Sequence, residues 1–419
     1  MAPTRTRRDF LKTTLGTPAL LSLAPSVPTF LTRTARAAGP KTSDRDTVLV
    51  VVQLAGGNDG LNTIVPHGDD LYVKYRPTIH LPAKQVHRID SLLGFHPRME
   101  AFSQLFQEGL LSVVQGVGYP NPHGGHFESM HIWQTADTSI RGETGWLGRA
   151  VDQATKDDPS AMPAVFVGQI GQPFTMNAAR SIVPTVRTLA DATVHRLPGA
   201  GEPDRRKASE AIAAPRNGHD APFLDFLQRT ALAADRGSHA IEVADTGSSG
   251  AYPPLQFAQR LRTVAQLIRA DAGFRIIYTE LGGVEPGGFD NHAVQAENHA
   301  ALLHQLSESV AAFIRDLKRD SVLDRVLLMT FSEFGRTVRE NGRRGTDHGS
   351  AAPLFLAGGR LKGGLVGAHP DLSHLEGAGG QKHHTDFRRV YATVLERWLG
   401  LDSKPVLGAG YEPLNVLRA

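Results

Sequence analysis

Five short stretches of the chain combine carboxylates or imidazoles with glycine. They are Asp59 in GGNDG, His126 and Ser129 in PNPHGGHFES, and Asp290 and His292 in GGFDNH. Glu333 and Arg336 lie in SEFGRT, and Asp347 and His348 in GTDHG. Carboxylates and imidazoles together are the donors by which a protein without thiolates holds zinc, manganese or iron. The chain has no cysteine, so disulfides and thiolate metal sites are excluded. One or two divalent ions on such a set can activate a nucleophile and stabilise a leaving oxygen in ester hydrolysis.

Each motif also has a plainer reading. Asn58-Asp59-Gly60 is strong turn chemistry, and the G-x-G-x-x-G dinucleotide fingerprint is absent. Asp290-x-His292 on extended chain points both side chains the same way, which suits a ligand pair without requiring one. Glu333 and Arg336 can pair with each other. His383-His384 precede Thr385-Asp386, a helix-capping pair, and read as loop residues. His123, His131 and His299 have no partner that the sequence assigns.

The elements that must position these residues read as an α/β protein. The apolar run 47–55, TVLVVVQLA, predicts a strand buried on both faces. Residues 97–109 have helical spacing and lead into a strand over 110–116, giving strand, helix, strand in order. Further strands are expected over 162–167, 275–281, 325–331 and 353–357. An amphipathic helix is expected over 299–318, and another over 386–399. Most of the motifs follow predicted strands, and ligands of open α/β sheets bind beyond the carboxyl ends of strands. The stretch 184–254 is rich in Gly, Pro, Ala and charge. It reads as a peripheral insertion with one helix near 223–234.

The chain opens with Arg7-Arg8-Asp9-Phe10-Leu11-Lys12, a weakly apolar run and Ala35-Arg36-Ala37. This order predicts a twin-arginine signal over 1–37, a twin-arginine translocase as transient partner, and a periplasmic or secreted product. The whole chain has 45 basic and 42 acidic side chains. Setting aside the six basic residues and one acid of residues 1–37 leaves a net charge of −2. That balance gives no reason to expect nucleic acid as a partner, and no apolar run in the mature part is long enough to span a bilayer.

Six segments then carry a resemblance: VVVQLAGGNDGLNTIVP, YPNPHGGHFESMHIWQTAD, GWLGRA, GGFDNH, TFSEFGRTVRENGRRGTDHG and KHHTDFRRVYATVLERWLG. Over residues 45–400 the chain resembles the domain-of-unknown-function 1501 family, DUF1501. Members of that family are typically twin-arginine-exported bacterial proteins. The family is similar to the alkaline phosphatase superfamily of phosphatases, sulfatases and phosphoglycerate mutases. The resemblance implies a three-layer α/β/α sandwich with a mostly parallel central sheet, as one domain over 45–419. It implies a two-metal site of zinc, manganese or calcium, and a small-molecule or polysaccharide ester of phosphate or sulfate as substrate.

By position, Asp59 stands for the first metal carboxylate, and Asp290 and His292 for the Asp…His pair after a middle strand. Glu333 takes the place of the carboxylate in the later Asp-His motif. His348, with Asp347, supplies the last imidazole. Arg336 is the residue expected to steady the anion. The family often shows Ser-His-Phe where this chain has Gly125-His126-Phe127, so Ser129 or water is left as nucleophile beside His126. An exported binding protein that kept the fold without the nucleophile is the alternative.

Overall fold

A computed structural model describes residues 47–156, 163–169, 171–187, 250–271, 273–282, 288–369 and 371–418. The expected export segment, the helix near 223–234 and most of the 184–254 insertion lie outside the described residues.

The run VLVVVQL forms β1, Val48–Leu54, buried along its whole length. Its alternate side chains enter two different cores, Val48, Val50, Val52 and Leu54 on one face and Leu49 and Val51 on the other. That two-sided burial explains why the run is continuous rather than alternating. The other strands of this sheet are β2 (Leu111–Gly118), β3 (Ala164–Val167), β4 (Thr185–Val186), β5 (Ile276–Leu281) and β6 (Val326–Phe331). They are followed by β7 (Ala352–Gly358), β8 (Gly364–Val366) and β9 (Thr385–Asp386).

The nine-stranded sheet runs β8-β2-β7-β6-β1-β5-β3-β4, with β9 also paired to β2. Every pairing is parallel except the two made by β7. The expected mostly parallel sheet is therefore present. One helix layer covers the first face with α2 (Glu100–Gln107), α5 (Gln256–Arg269) and α6 (Gln295–Arg319). The opposite face carries α3 (His126–Thr135), α4 (Trp146–Ala154) and α7 (Phe387–Ala392), which continues as a π-helical stretch over Thr393–Leu399. The short α1 (Asp70–Tyr75) packs its Tyr72 in a third, smaller core.

Three details differ from the sequence reading. β1, α2 and β2 do follow one another, but β6 and β7 lie between the two strands. β7 runs antiparallel, so the loop from Ser332 to Ala351 leaves and re-enters the sheet at the same end. Thr185–Val186, at the start of the supposed insertion, adds an edge strand beside β3. No helix among the described residues is long and apolar enough to cross a membrane.

Candidate metal centre

The site lies beyond the carboxyl ends of β1, β5 and β6. Gly56, just after β1, lets the loops meet: its φ is +110°, and a Cβ there would stand 2.5 Å from the Asp290 nitrogen. Only glycine combines that conformation with that approach. The Gly56 N–H donates to Glu333 Oε1 at 2.8 Å.

Three imidazoles turn their Nε2 atoms toward Asp290. His126 Nε2 is 3.5 Å from Asp290 Oδ2, and His292 and His348 Nε2 are 3.0 and 3.3 Å from Oδ1. His126, Asp290 and His348 offer atoms that all lie within 4.8 Å of one another. His292 joins from the side of Asp290 and His348. Each ring is braced through Nδ1. His126 meets Glu333 Oε1 at 3.1 Å, His292 meets Asp347 Oδ1 at 3.1 Å, and His348 meets the Gly124 carbonyl at 2.7 Å. With the proton of each ring on Nδ1, facing its acceptor there, the Nε2 lone pairs would be offered to an ion at the centre.

This arrangement fits a divalent ion. His292 and His348 bring Nε2 to Nε2 at 3.0 Å, and two lone pairs so placed repel unless a proton or cation intervenes. In a tetrahedral zinc site with bonds of about 2.0–2.1 Å, ligand atoms are spaced by roughly 3.3 Å. Metal-bound histidines commonly hold a carboxylate or carbonyl on the other nitrogen, which is the bracing seen for all three.

The charges are set by neighbours. Burial opposes the charge on Asp290, but the hydrogen bond and charge of Arg336 outweigh it, helped by His292 and His126, and hold the carboxyl below its ordinary range. The Glu333 hydrogen bond holds His126 above its ordinary value against partial burial. For Asp347, the hydrogen bonds from Asn341 and His292 and the charges of His292 and Arg343 overcome the opposing effect of burial.

Of the six residues expected as ligands, Asp290, His292 and His348 turn donor atoms toward one another. Asp59 does not meet them. Arg76 grips it with both terminal nitrogens at 2.7 and 2.9 Å, Gln295 donates to it, and it is 3% exposed. Its motif is the structural turn, capping the short 3-10 helix Gly60–Asn62. Glu333 and Asp347 stand behind imidazoles instead of pointing at the centre. His126, expected as a catalytic residue, stands with Asp290 and His348 in the group that could hold an ion.

Two further expectations are corrected. Arg336 is 2% exposed and donates to the carbonyls of Gly57, Gly56, Phe289 and Thr346 and to Asp290, so it is enclosed by the loops and does not face solvent as an anion-holding residue would. It does not pair with Glu333. Ser129 is fully buried and donates to the His123 carbonyl at 2.6 Å, inside the first turns of α3. Sequence reasoning did not single out Asn341, which donates to both the His292 carbonyl and Asp347 at 3.0 Å. The Asn-Gly turn it begins was the available signal. Asp386 caps α7 as expected. His299 is buried and bonded to Asn58 at 3.0 Å.

A family model described as a protein of unknown function, DUF1501, matches residues 112–409. No curated protein matches the chain. Among solved structures, the chain is similar to the lipoteichoic acid synthase LtaP from Listeria monocytogenes, with 11% identity, 86% of this chain and 76% of that chain covered, and a TM-score of 0.39. A protein in the alkaline phosphatase superfamily from Vibrio parahaemolyticus shows 11% identity over 87% of this chain and 69% of that one, with a TM-score of 0.37. The PsFucS1 sulfatase from Pseudoalteromonas sp. shows 10% identity over 92% and 73%, also with a TM-score of 0.37. Scores this low carry nothing about reaction.

Proposed function

Because the chain belongs to the DUF1501 family, whose description names no reaction, we propose one from the site: divalent-metal-dependent hydrolysis of phosphate or sulfate esters. One observation carries this reading. Three imidazole Nε2 atoms face a single ionised carboxylate, and every ring is braced from behind. A divalent ion, when bound there, supplies charge that polarises the ester oxygen and stabilises the leaving oxygen.

The chain's own residues supply preorganisation. His126, His292, His348 and Asp290 are the ligand group. Glu333, Asp347 and the Gly124 carbonyl fix ring orientation, and Arg336 fixes Asp290. Donors held this way need little rearrangement during the reaction. No side-chain nucleophile is assigned. Ser129 is spent on a backbone carbonyl, and Gly125 has no side chain to attack with.

Protein purified without chelators is expected to contain a divalent ion and to turn over p-nitrophenyl phosphate or p-nitrophenyl sulfate. Chelation should stop turnover, and Asp290→Ala and His348→Ala should remove both ion and activity. A metal-free protein that stays inactive after metal addition would sink the proposal. The burial of Ser129 also favours a second reading, a binding protein on the same fold. It predicts bound metal with no turnover of either ester.

We further infer twin-arginine export, supported by the order of Arg7-Arg8, apolar run and Ala35-Arg36-Ala37. Replacing both arginines by lysine should keep the protein in the cytoplasmic fraction. Unchanged export would overturn this.

A further inference from the structure

We propose that Arg343 is the residue of this site that receives the anionic oxygens of the ester; this rests on reading the site as one for phosphate or sulfate esters. A site with Asp290, Glu333 and Asp347 around its imidazoles is itself anionic, so an anionic ester needs cationic partners beyond the ligand group. Arg336, the candidate the sequence offered, is enclosed at 2% exposure and bonded to carbonyls and Asp290. Arg343 is exposed, and its guanidinium has no hydrogen bond or ion pair among the described residues.

The turn that carries Arg343 is fastened to the site. Asn341 Oδ1 accepts the Arg343 and Gly345 N–H groups at 2.9 and 3.2 Å. The same side chain donates to the His292 carbonyl and to Asp347. The Arg343 carbonyl accepts the Val294 N–H at 3.0 Å, and the Arg344 carbonyl accepts that of Gln295 at 3.0 Å. Gly345 lies so close that a Cβ would stand 2.4 Å from the His292 carbonyl carbon. Val294, where the turn docks, has φ 44°, a left-handed conformation costly for a β-branched residue. Strain of this kind persists where surrounding contacts hold it, often beside functional sites.

A planar guanidinium offers paired donors that match the oxygens of phosphate and sulfate. Arg344, next in the chain and also exposed, serves as the control. If Arg343 merely offset nearby negative charge, its neighbour would matter about as much.

The test is calorimetric titration of inorganic phosphate into the metal-loaded full chain, comparing wild type, Arg343→Gln, Arg343→Lys and Arg344→Gln, with metal content measured in each. Arg343→Gln should weaken phosphate binding about tenfold or more, the scale of a lost charged hydrogen bond. Arg343→Lys should restore part of it, Arg344→Gln should change it less than about threefold, and metal content should stay constant. Unchanged binding in Arg343→Gln, an equal loss in Arg344→Gln, or a metal-loaded wild type that binds no phosphate would each overturn the assignment. Phosphate binding that depends on Arg343 in a protein without ester turnover would overturn the hydrolase reading and leave this one standing.

Discussion

Asp59 and Arg76 form a bidentate ion pair with exposures of 3% and 0%. Burial alone would raise the Asp59 pKa, yet the charge and hydrogen bond of Arg76, with His299 and Gln295, hold it below the ordinary value. Removing one partner of such a pair leaves an uncompensated buried charge and typically costs about 3–5 kcal/mol. Asp59→Ala should therefore lower the unfolding midpoint in urea while the folded protein keeps its metal content. Loss of metal at unchanged stability would return Asp59 to the ligand group. Asp347 makes the opposite case, because it sits behind His292 and not within a core. Asp347→Asn should weaken metal affinity by about 10–100-fold, the usual effect of losing a partner of a ligating histidine. Metal titration of the apoprotein would show this, and an unchanged affinity would remove Asp347 from the support of His292. The sequence marked both aspartates as candidates. It could not separate them, because Arg76 lies outside every motif and its reach to Asp59 depends on how α1 packs.

At the scale of elements, the turn of β7 decides how the site is closed. β6 ends at Phe331 and β7 begins at Ala352, running back alongside it. Glu333 and Arg336 therefore leave one strand at the place where Asp347 and His348 approach the next. The sequence showed both strands but not their relative direction, which is fixed by β7 pairing with β2 and β6. The loop after β1 makes a second demand. Gly56→Ala would force a side chain into φ +110° and against the Asp290 nitrogen. The expected result is a loss of about 1–3 kcal/mol of stability, together with weaker metal binding, since the backbone of Asp290 must shift. Equal thermal midpoints for variant and wild type would show that the loops yield more easily than the packing indicates.

For the whole molecule, two buried histidines make stability depend on pH in the acid range. Burial is the main cause that pushes His96 down to about 3 and His299 down to about 4, from an ordinary value near 6.5. Asp59 opposes both shifts, while the two histidines' neighbours Arg98, Arg76 and Arg336 add to them. Both rings are neutral when folded and take up protons when the chain unfolds. Their contribution is present above about pH 6.5 and is lost as pH falls toward the folded values, at up to about 1.4 kcal/mol per pH unit for each ring. Urea unfolding of the apoprotein at pH 7 and pH 5 should show this loss, and His299→Gln should show less of it. A variant with the same pH dependence as wild type would exclude His299 as a source. The sequence by itself determined the long sheet-forming runs, the amphipathic helix over 299–318 and the absence of thiolate chemistry, because each follows from local patterns of residue type. It also placed the polar motifs where strands end. Tertiary structure alone decided which polar residues remain free for chemistry. Asp59, Ser129 and Arg336 are consumed by partners that no motif identifies, whereas His126, Asp290, His292 and His348 meet because strands distant in sequence lie side by side.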